Sequence, residues 1–154
     1  MLLLTVMILL PFMSVSTVFA ATPTNFTFHN EGSFEIDCGS YTLNYYYIQD
    51  GRVTDFTDNA GNPTQELAQI DGNRILTNEA TGYSVQAPGH WTITADLQTG
   101  VVQEIGLVIH LNIPGKGIVA LDAGKIIVDA DGNFTFLAGP KLVDRDAVLC
   151  AALS

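Results

Sequence analysis

The sequence contains few positive charges and no cluster of them. Only 6 of its 154 residues are lysine or arginine, against 16 aspartates and glutamates, so the formal net charge is −10 at pH 7. Nucleic acids and anionic membrane surfaces attract proteins mainly through clustered lysine and arginine. The charge balance therefore predicts no nucleic-acid partner, and no membrane partner once an N-terminal leader has been removed. Acidity of this kind keeps an exported protein soluble.

The first 20 residues lack charge altogether and have the pattern of an export signal. Leu2–Met13 is apolar, and Val18–Ala20 fits the site that signal peptidase cleaves. The basic segment that usually opens such a signal is missing, so an uncleaved membrane anchor is the alternative. A proline and a Ser/Thr-rich end favour cleavage. We predict a signal peptide at residues 1–20 and secretion to the extracellular or periplasmic space, where the sequons at Asn25 and Asn133 would be glycosylated only in a eukaryotic source.

Cysteine is scarce, and the chain has only Cys38 and Cys150. An even pair in an oxidising compartment indicates one disulfide, with two buried free thiols as the alternative. A catalytic thiol needs positively charged surroundings, and neither cysteine has a lysine or histidine beside it in the sequence. We predict a Cys38–Cys150 disulfide that closes most of the mature chain into one loop.

The sequence motifs of common metal and enzyme sites are also missing. The three histidines, His29, His90 and His110, do not stand at the spacing of zinc ligands, and there is no Gly-x-Ser-x-Gly elbow. Pro114–Gly117 lacks the residues that a phosphate loop requires, and Asp129–Asn133 has its glycine at the wrong position for a calcium loop. Both segments are predicted to be turns between strands. We expect no metal and no cofactor.

Turn residues, by contrast, recur every eight to twelve positions. They include Asp50-Gly51, Asp71-Gly72-Asn73 and Pro88-Gly89, and β-branched and aromatic runs lie between them. Short strands at this spacing are typical of an all-β barrel or sandwich. Only Asp144–Leu153 has the pattern of a helix, with an aspartate available to cap its start. We predict an antiparallel up-and-down β-barrel of about eight strands with a short C-terminal helix, and a β-sandwich as the alternative.

No linker and no repeat divides the mature chain. Its length of about 134 residues is typical of one domain, which can bury about two-thirds of its unfolded surface. The polar, turn-rich residues 21–32 are predicted to form an extended lead-in. Residues 33–154 are predicted to form a single barrel domain.

Alternation of side chains predicts which polar groups share a face of the sheet. The odd positions of Val101–Ile113 are nearly all apolar, and so are the odd positions of Trp91–Leu97. Because a slip of one residue would expose a whole apolar face, we expect odd positions to pair with odd positions. His90, Glu104 and His110 would then share a polar face, where a histidine could act as acid or base. The alternative is that this face is an ordinary solvated surface.

Aromatic residues supply the second candidate site. Tyr41, Tyr45, Tyr46 and Tyr47 stand close together on a predicted strand. Tyrosine is common on strands, where it packs against its neighbours. Tyr45 and Tyr47, together with Trp91, are the candidates for the wall of a ligand site.

Five short segments of the mature chain form a recognisable set. They are Leu76–Asn78, Gly89–Thr94, Gly106–His110, Leu121–Lys125 and Ala138–Pro140. Together they resemble a group of small exported bacterial β proteins. The strand layout is also similar to the closed barrels of the allene-oxide-cyclase and dirigent type. That second resemblance implies a barrel with an apolar cavity, and it carries over no catalytic residue.

Three functional classes fit these observations. The first is a non-enzymatic binder of a small apolar or amphipathic ligand. The second is an enzyme, an isomerase or a hydrolase, that uses His90, Glu104 and His110. The third is an extracellular interaction protein without a pocket. Binding needs only inward apolar side chains and a few polar groups, whereas catalysis needs a positioned acid or base with a partner. We therefore expect a binder rather than an enzyme.

Overall fold

The computed structural model describes residues 22–142 and 144–154, which form one antiparallel sheet and one helix. The strands lie in chain order, so each pairs with its neighbours in sequence. They are β1 (Thr24–Asp37), β2 (Thr42–Thr57), β3 (Pro63–Asn78), β4 (Tyr83–Asp96), β5 (Val102–Ile113), β6 (Gly117–Val128) and β7 (Phe134–Ala138), and the helix is α1 (Arg145–Leu153). The predicted all-β class, the antiparallel up-and-down order and the short C-terminal helix are confirmed.

The edges of the sheet are β1 and β7, which do not pair with each other. The described residues contain seven strands, where about eight were expected. All seven belong to one sheet, so the described part of the chain contains no second sheet for the alternative β-sandwich. From Thr24 onward the predicted lead-in pairs with β2 as the first part of β1.

The predicted signal peptide at residues 1–20 lies outside the described residues. Within the described ranges, no helix has the length and apolar character needed to cross a membrane.

Three of the predicted turns are wrong, because Asp50-Gly51, Asp71-Gly72 and Pro88-Gly89 lie inside β2, β3 and β4. Their glycines leave room for groups that press against the sheet. A Cβ added at Gly72 would lie 2.7 Å from the Trp91 ring, and one added at Gly89 would lie 2.3 Å from the carbonyl oxygen of Val108. A glycine inside a strand often marks such a close approach. The first four strands are therefore 14 to 16 residues long.

Two other segments are turns, as predicted. Pro114–Lys116 connects β5 to β6, and Asp129–Asn133 connects β6 to β7. The Asp129 carboxylate accepts hydrogen bonds from the backbone N–H groups of Asp131 and Asn133, at 3.0 and 2.9 Å. These backbone donors, that of Asn133 foremost, lower the pKa of Asp129. The Asp129 carboxylate thus stabilises its own turn.

Side chains alternate between a buried face and a solvent face of the sheet, as strand geometry requires. On β3 the buried face carries the even positions from Ala68 to Asn78, and the solvent face carries the odd positions. Buried residues from β1 to β6 and from α1 form a single core cluster. Because one nine-residue helix is the only other element described, the sheet itself must curl around its buried face.

The helix α1 packs on one end of the buried face. Its Leu149, Ala152 and Leu153 are buried, and the Asp144 side chain caps it by accepting a hydrogen bond from the N–H of Ala147 at 3.1 Å. The side-chain amide of Asn78, at the end of β3, donates to the carbonyl oxygen of Leu153 at 2.9 Å. The helix therefore covers an end of the core that would otherwise meet water.

A disulfide joins Cys38, which follows β1, to Cys150 in α1, with a Cα–Cα distance of 5.4 Å. The hydroxyl of Tyr41 donates a hydrogen bond to the carbonyl oxygen of Cys150 beside it. The predicted disulfide is confirmed. Structural disulfides persist in oxidising compartments, so this one indicates that the protein works in such a compartment.

Candidate functional site

The pairing of β4 with β5 differs by one residue from the sequence prediction. Trp91 pairs with Gly106 and Ile93 with Glu104, so odd positions of β4 meet even positions of β5. The register between β5 and β6 shifts between Leu107 and Ile109, which leaves one extra residue on β5. Such a β-bulge reverses the alternation along a strand. The apolar side chains at the odd positions of β5 consequently point to one face of the sheet before the bulge and to the other face after it. Ile105 is left 43% exposed.

The predicted polar cluster of His90, Glu104 and His110 is not formed. His90 lies on the solvent face, with Nδ1 at 2.6 Å from Oδ1 of Asp71. Glu104 lies on the buried face with Trp91, where it accepts a hydrogen bond from Lys141 Nζ at 2.9 Å. His110 follows the bulge and alternates with the buried Ile109 and Leu111, which places it on the solvent face. The two histidines are thus separated from Glu104 by the sheet.

A row of four polar residues crosses the solvent face. The register pairs His29 with Asp50, Asp50 with Asp71, and Asp71 with His90. His29 Nδ1 lies 2.7 Å from Asp50 Oδ1, and this hydrogen bond raises the pKa of His29. All four side chains are largely exposed, and no three His, Cys, Asp or Glu side chains of the described residues are arranged to hold a metal ion. The row forms two exposed His–Asp pairs.

Arg74 is a charged residue of the buried face. It stands on β3 in phase with Ile70 and Leu76 and is only 3% exposed. Its Nε donates a hydrogen bond to the Tyr45 hydroxyl at 3.1 Å, and its Nη1 donates to the carbonyl oxygen of Val108. The guanidinium carbon lies 4.6 Å from the centroid of the Trp91 ring, a cation–π contact.

Two glycines make room for this arginine. A Cβ at Gly89 would lie 2.7 Å from Arg74 Nη1, and a Cβ at Gly72 would lie 3.2 Å from the same atom. The long arginine side chain therefore crosses the sheet from β3 over β4 to reach Val108 on β5. The glycines that resemble turns in the sequence instead create the space for a buried guanidinium.

A pocket of about 320 Å³ opens beside Arg74, where the buried face meets solvent near β1. Its wall is formed by three strands and the start of α1. The register brings Phe34 opposite Tyr45, and their rings stack with centroids 4.6 Å apart. The pocket is lined by Asn30, Phe34, Tyr45, Tyr47, Gln49, Arg74 and Arg145.

Four other charged side chains of the buried face neutralise one another. Lys141 Nζ lies 2.9 Å from Glu104 Oε1 and 3.2 Å from Asp122 Oδ1, and Arg145 Nη2 lies 2.9 Å from Asp122 Oδ2. Asp122 Oδ1 takes no well-aligned hydrogen bond, so its contact with Lys141 is ionic only. Two acids thus face two bases, and none of these carboxylates reaches Arg74.

The structure brings together the three aromatic residues that the sequence suggested. Tyr45 and Trp91 both contact Arg74, and Tyr47 pairs with Arg74 across β2 and β3. Sequence reasoning missed Arg74 itself. The pattern that could have found it is the alternation Ala68, Ile70, Gly72, Arg74, Leu76, in which the arginine stands at a buried position.

Comparison of the chain with protein-family models, curated proteins and solved structures finds no match.

Proposed function

We propose that the protein is an exported, non-enzymatic binder of a small amphipathic ligand, held in the pocket beside Arg74. The observation that carries this proposal is the composition of the pocket wall. Phe34 and Tyr45, whose rings stack, line the pocket together with Asn30 and Gln49, whose side chains carry amides. The pocket surface is mainly polar, and the aromatic rings add the apolar part that an amphipathic ligand needs.

Export is part of the proposal. The disulfide indicates an oxidising compartment, and the uncharged leader at residues 1–20 supplies a route to it. The net charge of −10 favours a soluble protein without nucleic-acid or membrane partners. The enzyme alternative depended on a cluster of His90, Glu104 and His110, which the register of β4 and β5 separates.

The pocket predicts that removing the Phe34 ring weakens binding. Phe34 is 49% exposed, so Phe34→Ala removes part of the wall at little cost to the fold. Phe26→Ala is the matched control, because Phe26 lies on the same face of the same strand and is 48% exposed, but it does not line the pocket. We expect decanoate or 1-decanol to bind the wild type in titration calorimetry, and Phe34→Ala to lose about threefold to tenfold in affinity.

Equal losses in the Phe34→Ala and Phe26→Ala proteins would contradict this pocket as the site. If neither amphiphile binds at concentrations up to about 1 mM, the third class, an interaction protein without a pocket, takes its place. Native mass spectrometry of protein purified from its own source would identify a retained natural ligand.

Closure of the sheet into a barrel is a further part of the proposal. It is supported by Arg145, which binds Asp122 of β6 and also lines the pocket with Asn30 and Phe34 of β1. The two sides of the sheet therefore approach each other across the buried face. In a closed barrel the outward amides of both β1 and β7 are protected from hydrogen exchange. Rapid exchange at both edges would show that the sheet stays open.

A further inference from the structure

Arg74 lacks a carboxylate partner in residues 22–142 and 144–154, although it is almost fully buried. Buried arginines are normally paired with an acid, because neutral acceptors and an aromatic ring return only part of the lost hydration. The chain has 16 acidic residues from which such a partner could have come. Glu104 and Asp122 are bound to Lys141 and Arg145, and Asp55 and Glu66, in phase with the buried Val53 and Ala68, form no ion pair with Arg74. No carboxylate of the described residues therefore neutralises Arg74.

The guanidinium of Arg74 also has donors to spare. An arginine has five N–H donors, and the described residues accept from Nε and Nη1 of Arg74 only. Nη2 has no acceptor among the described residues, and Arg74 lines the pocket. Arg145 lines the same pocket with a half-exposed side chain and uses Nη2 for Asp122. Two guanidinium groups thus offer free donors to one small space.

From this geometry we infer that the ligand carries a carboxylate headgroup, bound between Arg74 and Arg145; the inference rests on the proposed binding function. A carboxylate supplies the acidic partner that Arg74 lacks among the described residues, and guanidinium groups match its geometry. The side-chain amides of Asn30 and Gln49 can donate to the same headgroup. The stacked rings of Phe34 and Tyr45 then hold the start of the apolar tail.

The test compares probes that share a ten-carbon tail and differ in the headgroup: decanoate, 1-decanol and decyl phosphate. We expect the wild-type protein to bind decanoate about tenfold or more tightly than 1-decanol in titration calorimetry, since charged hydrogen bonds are the stronger ones. Arg74→Gln and Arg145→Gln should each reduce the affinity for decanoate toward that for 1-decanol. The loss for 1-decanol, which carries no charge, should be much smaller in both variants.

Arg52→Gln is the matched control, since Arg52 is an exposed arginine of β2 that does not line this pocket. It should leave the preference for decanoate intact. Arg145→Gln keeps the experiment decisive if Arg74→Gln fails to fold, because the Arg145 side chain is about half exposed. Equal affinity of the wild type for decanoate and 1-decanol overturns the inference and leaves the binding function standing. If the wild type binds neither decanoate nor 1-decanol, both the inference and the proposed binding function are wrong. If it prefers decyl phosphate to decanoate, the headgroup is not a carboxylate.

Discussion

Replacing Trp91 with alanine is expected to lower the free energy of unfolding by about 3–5 kcal/mol, the usual cost of deleting a large buried aromatic side chain. Trp91 is 5% exposed, and its ring fills the space left by the absent side chain of Gly72. The ring also forms the π-face against which the Arg74 guanidinium packs. The variant thus leaves both a cavity and a buried cation with fewer contacts, and both effects destabilise the fold.

Urea unfolding followed by tyrosine fluorescence or circular dichroism measures this loss. Phe134→Ala is the control, because Phe134 is a large aromatic residue that is 73% exposed, and we expect it to change stability by less than about 0.5 kcal/mol. Trp91→Phe keeps a ring over Gly72 and should retain more of the stability than Trp91→Ala does. A Trp91→Ala protein as stable as the wild type would place Trp91 on the surface and reverse the two faces of the sheet.

The features that the sequence predicted correctly depend on local patterns. Apolar alternation and frequent turn residues predicted an antiparallel all-β fold, and a capping aspartate before helix-forming residues predicted α1. The pairing of Cys38 with Cys150 required only that two cysteines be present in an oxidising compartment. None of these predictions depends on how the strands are paired in the sheet.

The strand lengths could not be predicted because glycine has two roles in β proteins. It permits tight turns, and it also leaves space where another group presses against a strand. Asp50-Gly51 and Asp71-Gly72 have the residue types of turns, yet their glycines lie beneath the rings of Phe28 and Trp91. Only the positions of residues distant in sequence distinguish the two roles.

The register error has a similar origin. The extra residue of the bulge in β5 changes no residue type, so Val101–Ile113 looks like one uninterrupted alternating strand. Gly106, with φ of 138°, adopts a backbone conformation that other residues rarely adopt, and a Cβ there would lie 2.5 Å from the carbonyl oxygen of His90. This close approach to β4 lies just before the register shift between Leu107 and Ile109. Periodicity alone cannot detect either feature.

The central residue of the candidate site was missed because of the same glycines. Treating Asp71-Gly72-Asn73 as a turn divides β3 at the point where its alternation matters. Once β3 is continuous, Arg74 falls in phase with Ile70 and Leu76, at a position where a charge is costly to bury. The aromatic candidates Tyr45, Tyr47 and Trp91 then become the surroundings of this one arginine.

Removing the disulfide is the second change with a large expected effect. Cys38 and Cys150 are 112 residues apart, and closing a loop of that length restricts the unfolded chain by about 4–5 kcal/mol in the chain-entropy model. The same bond fixes α1, whose Leu149 and Leu153 cover one end of the core. We expect the double variant Cys38→Ser, Cys150→Ser to lose about 2–5 kcal/mol of unfolding free energy.

Intact-mass measurement after alkylation checks the bond itself, because two thiols should react in the wild type only after reduction. Urea unfolding with and without a reductant then separates the effect of the bond from that of the serines. Reductant should destabilise the wild type to about the level of the double variant and leave the double variant unchanged. The variant should also expose α1 to hydrogen exchange before the strands, since the helix then keeps its packing, its cap, the Arg145–Asp122 ion pair and the bonds from Tyr41, Asn78 and Lys116, but no covalent link. Equal stability of the wild type with and without reductant would mean that the packing of α1 alone holds the end of the core closed.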